Sequence, residues 1–405
     1  MRRGAGLVLA SIVLAGPLRA QSTAHLTATS AAAVTRVDPA PGGAPRSEFA
    51  LDLTALMGGA RLAGGRLRFA ATLNLEGATI PDGVLSAGAI GEGYIDRRHP
   101  HAYIHEVVAT AVQPFDEAGV VAWGVSAGRG FVAFGTDDPM NRPVLRYPIN
   151  HHWAQIVERA FVTLGVRAGP VVVEGTLFNG DEPERPWQAP NFARFGDSWA
   201  FRVTGRPVPE VEVQVSHAAV ASPEHRDGAG PSAAKWSASA RLARSLGTGN
   251  AYGLFEWART SEADGFFVFG ALLAEGELRL GVHRPYYRFE RTTRPEEERT
   301  LDPFRTVRPH HDDALIGVTR WTTHTVGYGI ALPPLWAAQF EPMVEVTRAG
   351  VAAVGTGLFR PAAFYGSDTL WSLTMGVRVR VGPAHRMGRY GVLVVDAPTP
   401  EHHGH

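Results

Sequence analysis

The sequence contains no cysteine, which excludes disulfides, thiolate zinc sites and cysteine nucleophiles. It also has no excess charge of either sign, because 39 Lys and Arg residues balance 39 Asp and Glu residues. No overall field draws the protein to nucleic acid, so we expect no nucleic-acid partner. After the N-terminal segment, no apolar run reaches the ~18 residues that a membrane-spanning helix needs. A helical membrane protein is therefore excluded.

The N-terminus has the layout of a secretory signal peptide. Arg2 and Arg3 precede an apolar run from Leu7 to Ala15, and the segment ends in a small residue, Ala20. We expect residues 1–20 to be removed by cleavage near this alanine. An exported chain of this kind is either a soluble protein or a β-barrel in the outer membrane of a Gram-negative bacterium.

Most of the chain alternates apolar and polar residues with a period of two, the pattern of half-buried β-strands. From Arg66 to Glu76, the odd positions are Leu, Phe or Ala, whereas the even positions are mostly polar. Such runs have about the 9–11 residues with which a tilted strand crosses a bilayer. Charges on the polar faces and aromatic residues at strand ends favour a membrane barrel over a soluble β-sandwich. We predict an all-β protein, a transmembrane antiparallel barrel of about 14–16 strands with long loops, at least one folded into the lumen.

Composition also divides the chain. We predict a flexible N-terminal segment at residues 21–45, where only His25 to Val37 has the pattern of a weak strand. The barrel is predicted at residues 46–393, followed by a polar histidine-containing tail at residues 394–405. Among the tight connections, Ala274 to Glu277 is predicted to be a hairpin turn.

Residues 135–152 depart from the alternation. They contain three prolines, no periodic pattern, and charges crowded with aromatic and imidazole groups. Charge-assisted hydrogen bonds can tie such a loop to the wall of a barrel, and opposed charges across a constriction select solutes. The residues predicted to form this constriction network are Asp96, Arg97, Arg98, Asp137, Asp138, Arg142, Arg146, Tyr147, Glu158 and Arg159.

Histidines cluster in the same two regions of the chain. Neutral imidazole nitrogens bind divalent transition metals, but the spacing here matches no specific zinc signature. Two interpretations stay open: a divalent metal site, or histidine hydrogen bonds that fix a loop in the lumen without any cofactor. The candidate ligands are His99, His101, His105, His151 and His152.

Several segments of the chain carry a resemblance to a known family. They are Gly91 to His101, Phe134 to Met140, Arg142-Pro143, Tyr147 to His152, Gln155 to Arg159, Phe178 to Pro183 and His385 to Gly391. With these segments the chain resembles a poorly characterised family of porin-like outer-membrane β-barrel proteins of Gram-negative bacteria. The resemblance implies a barrel surrounded by outer-membrane lipid, and it brings no established substrate or catalytic residue.

These features predict a porin-like channel for passive passage of small solutes or ions, narrowed by residues 135–152. One alternative is a plugged barrel that binds a ligand or a divalent metal at the His/Asp/Glu cluster. A second alternative is a hydrolase at the rim, with Ser126 in a G-x-S-x-G pattern or His310 to Asp313 as candidates. Because no helix is predicted after Ser126, the nucleophile elbow is incomplete and we expect no enzymatic activity.

Overall fold

The computed structural model describes residues 22–76, 102–116, 120–149, 151–183, 185–297 and 315–383. The described residues form sixteen strands, each hydrogen-bonded to the next, and the first and last strands pair to close one antiparallel barrel. The strands are β1 (Thr23–Asp38), β2 (Arg46–Leu62), β3 (Leu67–Asn74), β4 (Ile104–Pro114), β5 (Val121–Gly130), β6 (Arg159–Ala168), β7 (Val171–Phe178), β8 (Ser198–Val208), β9 (Val211–Val220), β10 (Ala233–Leu246), β11 (Gly249–Glu262), β12 (Phe267–Leu280), β13 (His283–Glu297), β14 (Leu315–Ile330), β15 (Ala338–Val354) and β16 (Thr369–Val381).

Helical segments in the described residues are short and lie between strands. One α-helix, α1 (Pro361–Tyr365), lies between β15 and β16. The 3-10 segments are Ala63–Gly65, Pro139–Asn141, His151–Trp153, Phe192–Arg194 and Ala263–Gly265. In the described part of the chain, no helix has the length and apolarity needed to cross a membrane.

Each strand has one face toward the lumen and one toward the exterior, as the period of two predicts. In β7, for example, Val171, Val173 and Leu177 are exposed on the outer face, whereas Glu174 and Thr176 are buried on the inner face. An apolar outer band around a polar interior is the arrangement of a transmembrane barrel. The predicted fold class is therefore confirmed, with a strand number at the top of the predicted range.

The two rims of the barrel differ in the length of their connections. At one rim, residues 169–170 join β6 to β7 and residues 281–282 join β12 to β13. At the other rim the long connections are residues 75–103, 131–158, 179–197, 298–314 and 355–368. Outer-membrane barrels have short periplasmic turns and longer extracellular loops. We therefore call the first the periplasmic rim and the second the extracellular rim.

The N-terminal segment predicted to be flexible forms a strand at Thr23–Asp38, which corrects the flexible assignment there and agrees with the weak strand pattern from His25 to Val37. This strand, β1, pairs with β2 on one side and with β16 on the other, and the barrel begins here rather than at residue 46. The small residues that made the segment look unstructured have a packing role, because Ala31 and Ala33 face the lumen and are buried there. The predicted tail at residues 394–405 lies outside the described residues.

The hairpin turn predicted at Ala274 to Glu277 is also wrong. β12 continues through these residues, with Glu275 and Glu277 both buried on its inner face. Arginines of β13 pair with both carboxylates, which makes the lumen a favourable place for them. Gly276 lies between the two glutamates and faces outward. Two glutamates around a glycine resemble a turn in the sequence, but here they occupy alternating positions of a strand.

Candidate functional site

The connection between β5 and β6, residues 131–158, lies inside the lumen, and we call it the inward loop. It forms hydrogen bonds or ion pairs with an inward-facing side chain on every strand from β7 to β16. In strand order, these partners are Thr176, Arg202, Ser216, Arg241, Glu256, Glu275, Glu290, Thr325, Glu345 and Arg378. A segment that reaches so many consecutive strands of a closed barrel lies within it, which confirms the predicted loop in the lumen.

One side of the inward loop is apolar and packs on the inner wall. Met140, Val144 and Leu145 are buried in one cluster with Ala31 and Ala33 of β1. The alanine side chains leave room for the larger residues of the loop. Burying a large apolar side chain contributes about 1.5–3 kcal/mol, so this packing holds the loop on the wall in addition to its ionic contacts.

Arg142 binds two carboxylates of the wall. Its Nη2 lies 3.3 Å from Oε2 of Glu256, and its Nε lies 3.9 Å from Oε1 of Glu275. Nη2 also donates to the hydroxyl of Thr136 at 2.8 Å. Burial alone would lower the pKa of Arg142, but the charges of the two glutamates outweigh it and raise this pKa above its usual value. Arg142 is therefore a fixed cation in the loop.

Arg146 makes a second ionic contact on the neighbouring wall. Its Nη2 lies 3.1 Å from Oε2 of Glu290, and Oε1 of the same carboxylate accepts the backbone N–H of Ile149 at 3.1 Å. The backbone carbonyl of Arg146 accepts from Nη1 of Arg288 at 2.6 Å. These charge-assisted bonds fix both the side chain and the backbone of this part of the loop.

Asp137 makes the converse contact, because it supplies the carboxylate and the wall supplies the cation. Its side chain pairs with Arg241 of β10. Its backbone carbonyl accepts from Nε2 of Gln155 at 2.7 Å, which joins the first and last parts of the loop. In the ion pairs between loop and wall, each side therefore supplies both cations and carboxylates.

His105 joins the two ends of the inward loop. Its Nδ1 lies 2.7 Å from Oε1 of Glu158, and its Nε2 lies 3.3 Å from Oδ2 of Asp138. A β-bulge makes this contact available: β3 pairs with Glu106 and next with Ile104, which leaves His105 as the extra residue of β4. A bulge re-aims a side chain, and here both neighbours His105 and Glu106 are buried.

Tyr147 and Arg159 have different surroundings, although both were predicted in one network. The hydroxyl of Tyr147 donates to Oε2 of Glu76 at 3.4 Å. Burial first, and then the charge of Glu76, raise the pKa of Tyr147 well above its usual value, so the phenol keeps its proton. Arg159 begins β6, and its Nη2 donates to Oε1 of Glu182 at 2.7 Å. It therefore supports the loop after β7 rather than the middle of the lumen.

Some of the remaining predicted residues lie in the described part of the chain and others lie outside it. His151 and His152 lie together in the inward loop with ring centroids 4.2 Å apart. Nδ1 of His152 is 3.8 Å from Oε1 of Glu182. Outside the described residues lie Asp96, Arg97, Arg98, His99 and His101. Within the described ranges no group of three His, Asp or Glu side chains is arranged to hold a metal ion, so the metal site stays a prediction that depends on His99 and His101.

The candidate nucleophile Ser126 is part of the barrel wall. It is buried within β5, and its hydroxyl lies 2.9 Å from that of Thr110 on β4. The residues after β5 enter the inward loop without a helix, so the nucleophile elbow is incomplete. The second rim candidate, His310 to Asp313, lies outside the described residues.

The sequence does not identify the wall residues that the loop uses. Glu256, Glu275, Glu290 and Glu345 lie at inward positions of four different strands. In the sequence, each is a charged residue at a polar position of an alternating strand, which indicates that it faces inward. Sequence separation hides which loop residue each one meets, since Arg142 and Glu256 are 114 positions apart.

The lumen near the periplasmic rim is rich in arginine. Within three residues of the periplasmic strand ends, the inward positions hold eight arginines: Arg61, Arg68, Arg167, Arg206, Arg279, Arg284, Arg378 and Arg380. The same positions hold four glutamates: Glu174, Glu212, Glu277 and Glu341. These carboxylates are shared, because both Arg279 and Arg284 pair with Glu277. The described part of this region therefore has an excess of positive charge.

No family model matches the chain, and no curated protein matches it. Solved structures do. An anion-selective porin from Comamonas acidovorans has a TM-score of 0.53 at 11% identity, over 89% of this chain and 100% of the porin. A loop-deletion mutant of OmpT, an outer membrane protein of Vibrio cholerae, has a TM-score of 0.49 at 8% identity, over 89% of this chain and 99% of its own. OccK10 of Pseudomonas aeruginosa has a TM-score of 0.41 at 10% identity, over 90% and 99%.

The likeness to the Comamonas porin covers most of both chains, but identity at this level reports on the fold alone. The chain therefore has the fold of outer-membrane porins, and the predicted resemblance to porin-like barrels is confirmed at that level.

Proposed function

We propose that this protein is an outer-membrane channel of the porin type, in which the inward loop forms the constriction for passive passage of small solutes. The observation that carries the proposal is the set of bonds from the inward loop to every strand from β7 to β16. A barrel of 16 strands is wide enough to leave an aqueous channel. A loop fixed across such a lumen narrows it without filling its whole length.

We further propose that the channel favours small anions over cations. The excess of arginine at the periplasmic end of the lumen supports this, since a cleft lined by one sign of charge concentrates ions of the opposite sign. The Comamonas porin is described as anion-selective. Rings of arginine or lysine are one way in which pores select anions.

The proposed location is the outer membrane of a Gram-negative bacterium, reached after cleavage of the signal peptide. The apolar outer band, the porin fold and the difference between the two rims support this location. The surrounding partner is then lipid, and the role is passage without a reaction on the solute. The bonded, strand-embedded position of Ser126 supports a non-enzymatic role.

Purified protein in a planar bilayer tests the proposal. We expect discrete conductance steps, and in a gradient of KCl we expect a zero-current potential with the sign for chloride preference. Arg378→Gln with Arg380→Gln should move this potential toward zero because both side chains face the lumen.

Arg244→Gln is the matched control, since Arg244 lies on the outer face of β10 near the same rim and should leave the potential unchanged. A folded barrel without conductance at any voltage contradicts the channel and favours the plugged alternative. A preference for cations contradicts only the proposed anion selectivity and leaves the channel proposal unchanged.

A further inference from the structure

The charges of β11 to β16 are sorted between the two faces of the barrel. The carboxylates whose side chains are described all lie at inward positions: Glu256, Glu262, Glu275, Glu277, Glu290, Glu296, Glu341 and Glu345. The charged residues at outward positions of these strands are arginines: Arg259, Arg291, Arg320 and Arg348. All four are exposed. A lumen that selects anions does not require arginines on the outside, so these residues need another explanation.

Three of these arginines surround one threonine, Thr322 of β14. Arg291 of β13 lies directly across from Thr322, at the ~5 Å spacing of paired residues. Arg320 is two residues earlier on the same face of β14. Arg348 of β15 pairs with the next outward residue, His324, and is therefore a diagonal neighbour of Thr322 at about 7–8 Å. We call Arg291, Arg320 and Arg348 the exterior arginine cluster.

The exterior arginine cluster has no carboxylate partner among the described residues. Lumen arginines such as Arg142 pair with glutamates, whereas the described outward side chains of β13, β14 and β15 include no carboxylate. Each guanidinium has planar donors that match the oxygens of a phosphate in a bidentate geometry. Three such groups around a hydroxyl form a surface for an anion rather than for an apolar partner.

The cluster lies at the extracellular end of the apolar band. Arg320 is near the extracellular end of β14, and Tyr328 faces the exterior eight residues further toward the periplasmic rim. With a tilt of ~40° and a rise of ~3.3 Å per residue, this spacing corresponds to roughly 20 Å along the barrel axis, close to the ~25 Å height of the apolar band. Trp371 lies directly across from Arg348 on β16, and aromatic residues of this kind mark the membrane interface.

We infer that the exterior arginine cluster binds the phosphate groups of a phosphorylated lipid in the outer leaflet of the membrane. The three guanidinium groups and the hydroxyl of Thr322 hold the headgroup. The acyl chains then lie on apolar residues closer to the membrane centre, such as Val326 and Val346, which are exposed on the same outer face. Arginine on the lipid-facing surface is destabilising toward the bilayer centre, and a phosphate counter-ion at the interface offsets this effect. The inference requires the barrel orientation given by its long loops, but it does not require conductance.

The test measures lipid binding by native mass spectrometry of the detergent-solubilised protein. The probe is lipid A with both phosphates, compared with the same lipid A after removal of its phosphates. We expect the wild type to bind the phosphorylated form and the variant R291Q/R320Q/R348Q to bind at least tenfold less. Removal of the phosphates should lower wild-type binding to the level of the triple variant.

Arg244→Gln is the control, because this exposed outward arginine lies near the periplasmic rim, and it should stay within twofold of the wild type. Equal binding of lipid A by wild type and triple variant overturns the inference, and so does equal binding of the dephosphorylated lipid. Displacement of lipid A by millimolar inorganic phosphate also overturns it, since the site would then recognise a free anion. If the triple variant does not fold, the three single variants should each bind about threefold less. If the triple variant loses lipid binding but keeps the wild-type conductance, the lost binding comes from the exterior arginine cluster and not from a failure of the proposed channel.

Discussion

Gly135 in the inward loop has a backbone conformation and close surroundings that both disfavour a side chain. Its φ is 63°, in the left-handed region, and a Cβ there would collide with the backbone carbonyl of Ala154. Gly169 in a periplasmic turn has a similar φ of 57°, but nothing lies within 4 Å of an added Cβ. A comparison of alanine substitutions at the two glycines therefore separates the cost of backbone strain from the cost of a steric clash within the loop.

We predict that Gly169→Ala lowers the free energy of unfolding by roughly 1–2 kcal/mol, the cost of the left-handed conformation alone. Gly135→Ala should lower it further, because the backbone at Ala154 must also move, and it should make the loop sensitive to added protease. The midpoint of urea unfolding and the rate of cleavage in the loop measure both effects. Equal midpoints for the two variants would show that the loop does not depend on this close approach.

Arg142 provides a second prediction at the residue scale. Removal of one partner of a buried ion pair costs about 3–5 kcal/mol, since the other charge is left buried without compensation. In Arg142→Met the residue affected is Glu256, because Glu275 keeps Arg288 at 2.7 Å. We expect the single variant to lose about this much free energy of unfolding.

The second substitution Glu256→Gln should recover most of the loss, because it removes the charge that Arg142 had neutralised. Unfolding in urea of the wild type, both single variants and the double variant gives the coupling between the two residues. A loss below ~1 kcal/mol for Arg142→Met would place this pair with exposed ion pairs and contradict its role as an anchor.

Among the elements, β1 is the one that closes the barrel against the last strand. Its backbone pairs with β16 from Ala28 to Asp38 and with β2 from Thr23 to Val37. Without β1, both neighbours become open edges in the membrane, where unpaired backbone groups cannot be satisfied. We predict that deletion of residues 23–38 from the mature protein abolishes the folded form, which migrates differently from the unfolded form on unheated gels.

Deletion of the extracellular segment 223–232 between β9 and β10 serves as a comparison, since it removes no strand residue. This variant should retain the folded form. A folded barrel without β1 would contradict the closure described above.

The elements also show which parts of the fold are visible in the sequence. Alternation identifies strands such as β3, because a strand between lumen and membrane needs apolar residues on one face and polar residues on the other. It misses the small residues of β1, whose burial depends on the inward loop, and it misreads β12, whose glutamates depend on arginines of β13. The loop itself is visible from its prolines and charges, but its contacts are not, since they reach strands distant in the sequence. The separation is 43 positions for Ala133 and Thr176, for example, and 114 for Arg142 and Glu256.

At the scale of the whole molecule, the barrel has three different charged surfaces. Around the inward loop, cations and carboxylates are paired, as in the contacts of Arg142 and Arg146. The periplasmic end of the lumen has an excess of arginine. The described outward side chains of β13, β14 and β15 near the extracellular rim include arginines without carboxylates. The net charge of zero hides this distribution. The first surface contacts the loop, and we propose that the second faces the solute and the third the lipid.

The absence of cysteine in the sequence allows a direct test of the proposed constriction. The side chain of Asn141 is exposed, whereas its neighbours Met140 and Arg142 in the inward loop are buried. In the variant Asn141→Cys, an anionic methanethiosulfonate reagent should therefore reach the only thiol in the protein through the lumen. The wild type is the control, because it offers no thiol.

The most direct measurement is the single-channel current of Asn141→Cys before and after addition of this reagent to a planar bilayer. The account predicts that the current of each open channel falls in one irreversible step and returns on addition of a reducing agent, while the wild type stays unchanged. Complete labelling of the cysteine, verified by mass spectrometry, with an unchanged current would contradict the claim that the inward loop forms the constriction of the channel.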